Sequence, residues 1–222
     1  MQKFDSPAPV SAVLDIPAGR IRLIAADRTD TTVEVLPADP AKSRDVKAAE
    51  QIEITHHDGA LRIEAPAAKN RILGSSGSVE VTVQLPAGSR VQAKAAAADL
   101  RGVGRLGDVE FDAAQGTIKL DETGSARLTL LAGDILVGRL GGPAEISTQK
   151  GDLRIAEAVT GAVALRTEQG DITVDAAHGV SAALDAGTGH GRIHNALKNT
   201  DGAAGLTIHA TTAHGDITAR SL

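Results

Sequence analysis

Two groups of side chains in this sequence have the types and spacing to do chemistry. Five of the seven histidines, His178, His190, His194, His209 and His214, crowd toward the C-terminus, and His190 and His214 each stand immediately before a glycine that recurs in one local phrase. His194 follows the first of those glycines by three residues. Imidazoles held side by side bind Zn²⁺ or Ni²⁺, or pass a proton near neutral pH. His190, His194 and His214 are therefore candidate metal ligands and candidate catalytic groups. The second group is Asp134, Asp152 and Asp171, each directly after a recurring glycine. Stacked, their carboxylates could share Ca²⁺ or work as an acid/base pair. Each group also has a plainer explanation. Outward turn positions accept histidine as readily as Gln115, Lys150 and Gln169, which occupy the equivalent places. An aspartate after a tight-turn glycine accepts backbone N–H groups, and Lys150 and Arg154 are near enough in sequence to offset its charge. The calcium-binding pattern G-G-x-G-x-D is absent.

These residues are spaced by a repeat. The phrase glycine, polar, apolar, polar, apolar occurs as GTIKL at Gly116, GDILV at Gly133, GDLRI at Gly151, GDITV at Gly170, GRIHN at Gly191 and GDITA at Gly215. Each follows a second short alternating run, such as AEISTQK or VALRTEQ. Period-two alternation puts Ile146 and Thr148 on one face, and beyond the Gly-Asp corner Leu153 and Ile155 return to it. A unit so short cannot bury its apolar side alone, whereas stacked units bury it continuously. The pattern predicts an all-β fold, a β-solenoid of about six short two-strand coils. Three residues before each glycine stand Ala113, Leu130, Thr148, Thr167, Thr188 and Thr212. They predict an inward ladder whose hydroxyls bond one another or the corner backbone. The glycine supplies a backbone geometry that side chains resist.

Residues 1–95 are less periodic and read as an N-terminal β-rich, sandwich-like cap, with residues 96–222 forming the solenoid. The cap repeats a strand-Pro-Ala-Gly-strand phrase in VLDIPAGRIRLI and VTVQLPAGSRVQA. Between them Asp39 is placed to cap a short helix near residues 40–51. A hairpin is expected around His57-Asp58-Gly59, with His56 and His57 solvated in its turn, and a loop at NRILGSSGS. The run GVGRLG, Gly102 to Gly107, has the letters of a dinucleotide-binding turn, but a strand pattern follows it where a helix is required.

Composition narrows the functions. Aromatic residues make up 1% of the 222, with no Trp or Tyr, so Val, Ile, Leu and Ala must fill the core. A net charge of −5 without any Lys/Arg block argues against nucleic acid, which needs both the electrostatic attraction and the stacking rings. The missing rings argue against carbohydrate as well. With no Cys, thiol catalysis, thiolate metal sites and disulfides are excluded. The opening MQKFDSPAPV has no signal-peptide pattern and no apolar run is long enough to span a membrane, so a cytoplasmic protein without a membrane partner is expected. Nothing calls for a cofactor.

The runs FDSPAPVSAVLDIPAG, DRTDTTVEVLPADPAK and VEVTVQLPAGSRV, followed by the serial GD[IL]x[VI] coils, resemble an actinobacterial β-strand-repeat family of unknown function described as candidate adhesins. The resemblance spans essentially the whole chain and implies a β-solenoid. The sequence departs from the pattern at GTGHGRIHNALKNTDG, where Arg192 replaces the corner acid and the coil lengthens. The expected function is a non-enzymatic scaffold that presents ordered rows of side chains to a protein partner, or that self-associates end to end, as a homodimer or a short polymer, through the open strand edge of its last coil, residues 205–222. The alternative is an enzyme with a small-molecule site on the His-rich flank, assisted by a metal.

Overall fold

A strand that alternates apolar and polar residues must bury one side, and this chain does so by coiling on itself. The computed structural model describes residues 1–66, 77–199 and 204–222. Most of the expected loop NRILGSSGS lies outside the described residues. The strands among the described residues form one 17-stranded sheet bent at every corner, and their inward side chains feed one core of Val, Ile, Leu and Ala around the buried Phe111. Each coil gives a first run and, after the corner, a second run. The first runs 144–150, 161–169 and 206–214 pair in parallel register, as do the second runs 153–158, 172–176 and 217–221. Ile146 and Thr148, then Leu153 and Ile155, are all buried, as the alternation predicts.

The stack begins earlier than the sequence suggests. Strand Ser11–Ala26 pairs in parallel with residues 90–103 across both runs, so residues 11–26 already form a coil of the stack. The boundary expected at residue 95 falls inside the continuous strand Arg90–Gln115. The first Pro-Ala-Gly phrase is itself a corner, with Gly19 at φ +130° inside that early strand. GVGRLG also lies within strand Arg90–Gln115, and Gly104, at φ +79°, approaches the carbonyl of Ala25. The hairpin joins Glu53–His57 to Ala60–Glu64 through Asp58 and Gly59, both at positive φ (50° and 74°), as a two-residue turn of that hand demands. His56 lies in the strand instead of the turn, and its ring stacks on Phe4 at 4.9 Å across the N-terminal end of the stack. The helix is Ser43–Glu50, but Asp39 does not cap it. Asp39 accepts a hydrogen bond from Ala41 N (3.0 Å) in the preceding turn, and Lys42 is the N-cap residue.

The coil order corrects a second expectation. The strand Leu206–His214 pairs with Gly161–Gln169 on one side and with Ala182–His190 on the other, and Ile217–Ser221 likewise lies between Ile172–Ala176 and Ile193–Ala196. The C-terminal coil is therefore inside the stack, and the coil that precedes it in sequence forms the edge. Residues 205–222 offer no open edge.

All six phrase glycines have φ between +138° and +158°. A Cβ on Gly170 would lie 2.0 Å from the carbonyl oxygen of Gly151 one coil away, so both the dihedral and the space exclude a side chain. Gly170→Ala should destabilise the fold by more than about 2 kcal/mol in denaturant melts. Gly187→Ala, with no atom within 4 Å of the added carbon, should stay within about 0.5 kcal/mol of the parent.

Candidate functional site

The corner that joins the two runs concentrates the residues singled out by type. The aspartates do stack, but each carboxylate is engaged by the neighbouring coil. Asp134 Oδ1 accepts from Asp152 N (2.9 Å), Asp152 Oδ1 from Asp171 N (2.8 Å), Asp171 Oδ1 from Asp216 N (2.7 Å) and Asp216 Oδ1 from Arg192 N (2.8 Å). From Asp134 onward this ladder carries one carboxylate-to-amide hydrogen bond per coil at the point where the sheet turns. The threonine column does the parallel task inside. The hydroxyls of Thr167, Thr212 and Thr188 donate to Gly151 O, Gly170 O and Gly215 O at 3.1, 3.1 and 3.0 Å, while Thr148 reaches Gly133 O at 3.4 Å. Of the two partners expected for these hydroxyls, the corner backbone is the one they take.

His190 and His214 are register partners on adjacent strands, and their rings lie face to face, 4.9 Å between centroids and 2° between planes. His194 is across the corner on the second run, beside Thr218. His209 pairs instead with Asp185 (Nδ1 to Oδ2, 3.2 Å) on the outer face, and His178 is exposed in a turn. Among the described residues no group of three or more His, Cys, Asp or Glu side chains is placed to hold a metal ion. Of the candidates, only His190 and His214 are brought ring to ring.

Two surfaces lay outside the sequence reading. One is a groove of about 560 Å³ across the outer faces of several first runs, lined by Arg90, Asp108, Glu110, Arg127 and Glu145. Both of its arginines are paired, Arg90 with Asp108 at 2.8 Å, which also accepts from Ser125 Oγ, and Arg127 with Glu145 at 3.5 Å, while Glu110 accepts from Gln92 Nε2 at 3.3 Å and leaves the lining one negative charge in excess. The other is the edge coil itself. Ala182–His190 is only partly buried, all of Ile193–Ala196 is exposed, and Ile193 keeps 46% of its surface. The edge coil is held by Arg192, whose guanidinium grips Asp216 (2.9 Å) beyond the backbone bond. The C-terminal coil beneath it is fixed by Arg220, which makes a two-pronged contact (2.6 and 2.9 Å) with the buried Asp175. Arg192 was legible as a departure from the repeat, whereas its role at the edge was not.

The family model for Toastrack DUF4097 matches residues 13–220, which takes in the early coil and the edge coil together. The chain belongs to the Toastrack DUF4097 family. Among solved structures it is similar to a candidate adhesin from Bacteroides fragilis NCTC 9343, at 16% identity and a TM-score of 0.59, over 98% of this chain and 95% of that one. A candidate adhesin from Parabacteroides distasonis ATCC 8503 aligns at 16% identity and a TM-score of 0.48, over 98% and 95%. No curated protein matches the chain by sequence. The Toastrack fold and the adhesin naming agree with the resemblance read from the sequence; its actinobacterial restriction is not part of what these matches carry.

If the carboxylate ladder is structural, amide oxygens serve as well as carboxylates. Asp171→Asn should leave stability nearly unchanged and Asp171→Ala should cost about 1 kcal/mol in denaturant melts. Acid should loosen the edge coil early. The backbone N–H of Arg192, and then its guanidinium, hold Asp216 below the usual carboxylate range. Its contribution is therefore full above the ordinary aspartate value of about 3.9 and is lost as pH falls toward the depressed one. Hydrogen exchange at residues 182–196 should accelerate over that interval, and Asp216→Asn should remove the pH dependence.

Proposed function

We propose that this Toastrack chain is a non-enzymatic interaction scaffold that pairs with a second copy through its edge coil, Ala182–His190 and Ile193–Ala196. The observation that carries this reading is the unequal finish of the two ends of the stack. At the N-terminal end the strands Asp30–Pro37, Gln2–Asp5 and Glu53–His57 turn antiparallel, Phe4 stacks on His56, and the helix Ser43–Glu50 packs alongside. Solenoids need such caps, because an open coil presents unpaired backbone and the apolar interior. At the other end the parallel edge coil has no further strand among the described residues, and Leu184, Ala186 and Ile193 remain partly or largely accessible.

A copy that continues the stack fits one end only. Head-to-tail growth would need the capped end, so pairing is edge coil to edge coil about a two-fold axis, which closes after two chains. The adhesin names of the structural neighbours support an interaction role of this kind. On the long faces the arginines of the groove are held by carboxylates, in keeping with a protein that associates by its end.

Light scattering coupled to size exclusion, over a rising concentration series, should give twice the 22.6 kDa chain mass. Ile193→Asp should return the protein to a monomer with an unchanged circular-dichroism spectrum. Leu131→Asp, at an equally exposed side chain in the middle of the stack (49%), should leave the pair intact. A wild-type protein that stays monomeric throughout, or a pair that survives Ile193→Asp, overturns the reading.

A further inference from the structure

We propose that His190 and His214 form a two-imidazole clip for a divalent transition-metal ion of the zinc and nickel type. Parallel pairing fixes their backbones one strand spacing apart, and the fixing is redundant. Gly215 N donates to His190 O (2.9 Å), Gly170 N donates to His214 O (3.0 Å), and the hydroxyl of Thr188 donates to Gly215 O (3.0 Å). The ion does not have to organise the chain in order to bind, which removes most of the ordering cost.

The two rings are also available. His57 meets Asp58 at 2.7 Å and His209 meets Asp185 at 3.2 Å, so those imidazoles already have carboxylate partners. His190 and His214 have only each other among the described residues, and both side chains are exposed. Two imidazoles stacked parallel to within 2°, exposed to solvent and without a carboxylate partner among the described residues, are placed to share an ion. Zinc takes imidazole nitrogen at about 2.0–2.1 Å, so both rings must turn out of their parallel stack until a nitrogen of each faces the ion, and as exposed side chains they have room to do so. No third His, Asp or Glu joins them among the described residues, so water fills the remaining positions and the site is open. Imidazole nitrogen favours zinc, nickel and copper over calcium or magnesium, which select oxygen. His194, across the corner, stands outside the clip.

This inference does not depend on pairing between copies, and it is read separately. Untagged protein titrated with Zn²⁺ in a calorimeter should take up one ion per chain. His190→Ala and His214→Ala should each weaken binding by at least about tenfold, while His209→Ala leaves it unchanged. Circular dichroism confirms that each variant is folded. Magnesium in place of zinc should give no heat. A wild-type protein that binds no zinc, or binding of equal strength in His190→Ala and His214→Ala, overturns the proposal.

Discussion

At the corner of each coil the carbonyl oxygen of one glycine occupies the place where a Cβ of the next would stand, 1.7–2.1 Å from it at Gly133, Gly151, Gly170 and Gly215. This close approach fixes the rest of the structure. It requires glycine and a positive φ, it sets the register of the runs on either side, and it aligns the Asp column from Asp134 and the Thr column from Thr148 as ladders. A side chain at that point would push adjacent coils apart and take both ladders with it. The scarcity of large aromatic residues follows from the same geometry, because short runs between tight corners enclose a thin core that branched aliphatic side chains fill around Phe111.

Much of this was legible because the constraint is local. The six phrases, the corner glycines, the inward threonines and the His190–His214 contact all follow from one phrase and its alternation. The coil order was not legible, because the last two coils carry nearly the same phrase and either would fit against Gly161–Gln169. One signal does discriminate between them. An aspartate at the corner can accept the amide of a further coil, as Asp171 accepts that of Asp216, but an arginine cannot. Arg192 donates its amide to Asp216 and offers no acceptor to a further coil, which suits the outermost place, although the inner coil of Thr117 also lacks a corner acid. The early coil 11–26 was missed for a different reason. Its neighbours in the stack, 79–86 and 90–103, are distant in sequence, and no short-range period reveals them.

The functional reading follows from where the ladders stop. Along the stack many outward charges are matched across adjacent coils, and both arginines of the groove are held by carboxylates, Arg90 by Asp108 and Arg127 by Glu145. The edge coil is itself paired inward, Arg192 with Asp216 and Asp185 with His209, and there apolar and imidazole groups are left accessible together. A member of the Toastrack DUF4097 family built this way presents its distinctive chemistry at one end, and the polar flanks hold that end in place.

The central claim, that the C-terminal coil is inserted beneath the coil preceding it, can be tested by disulfide trapping, and the chain has no native Cys to interfere. Ala164 is the register partner of His209, and His209 in turn of Asp185, all three being exposed on the outer face. Oxidation of the double variant Ala164→Cys, His209→Cys should give an internal disulfide, since neighbouring strands lie within bridging distance, while Ala164→Cys with Asp185→Cys, two strands apart, should not. The opposite pattern, with cross-linking to position 185 and none to 209, would place the coils in simple sequence order and contradict the account.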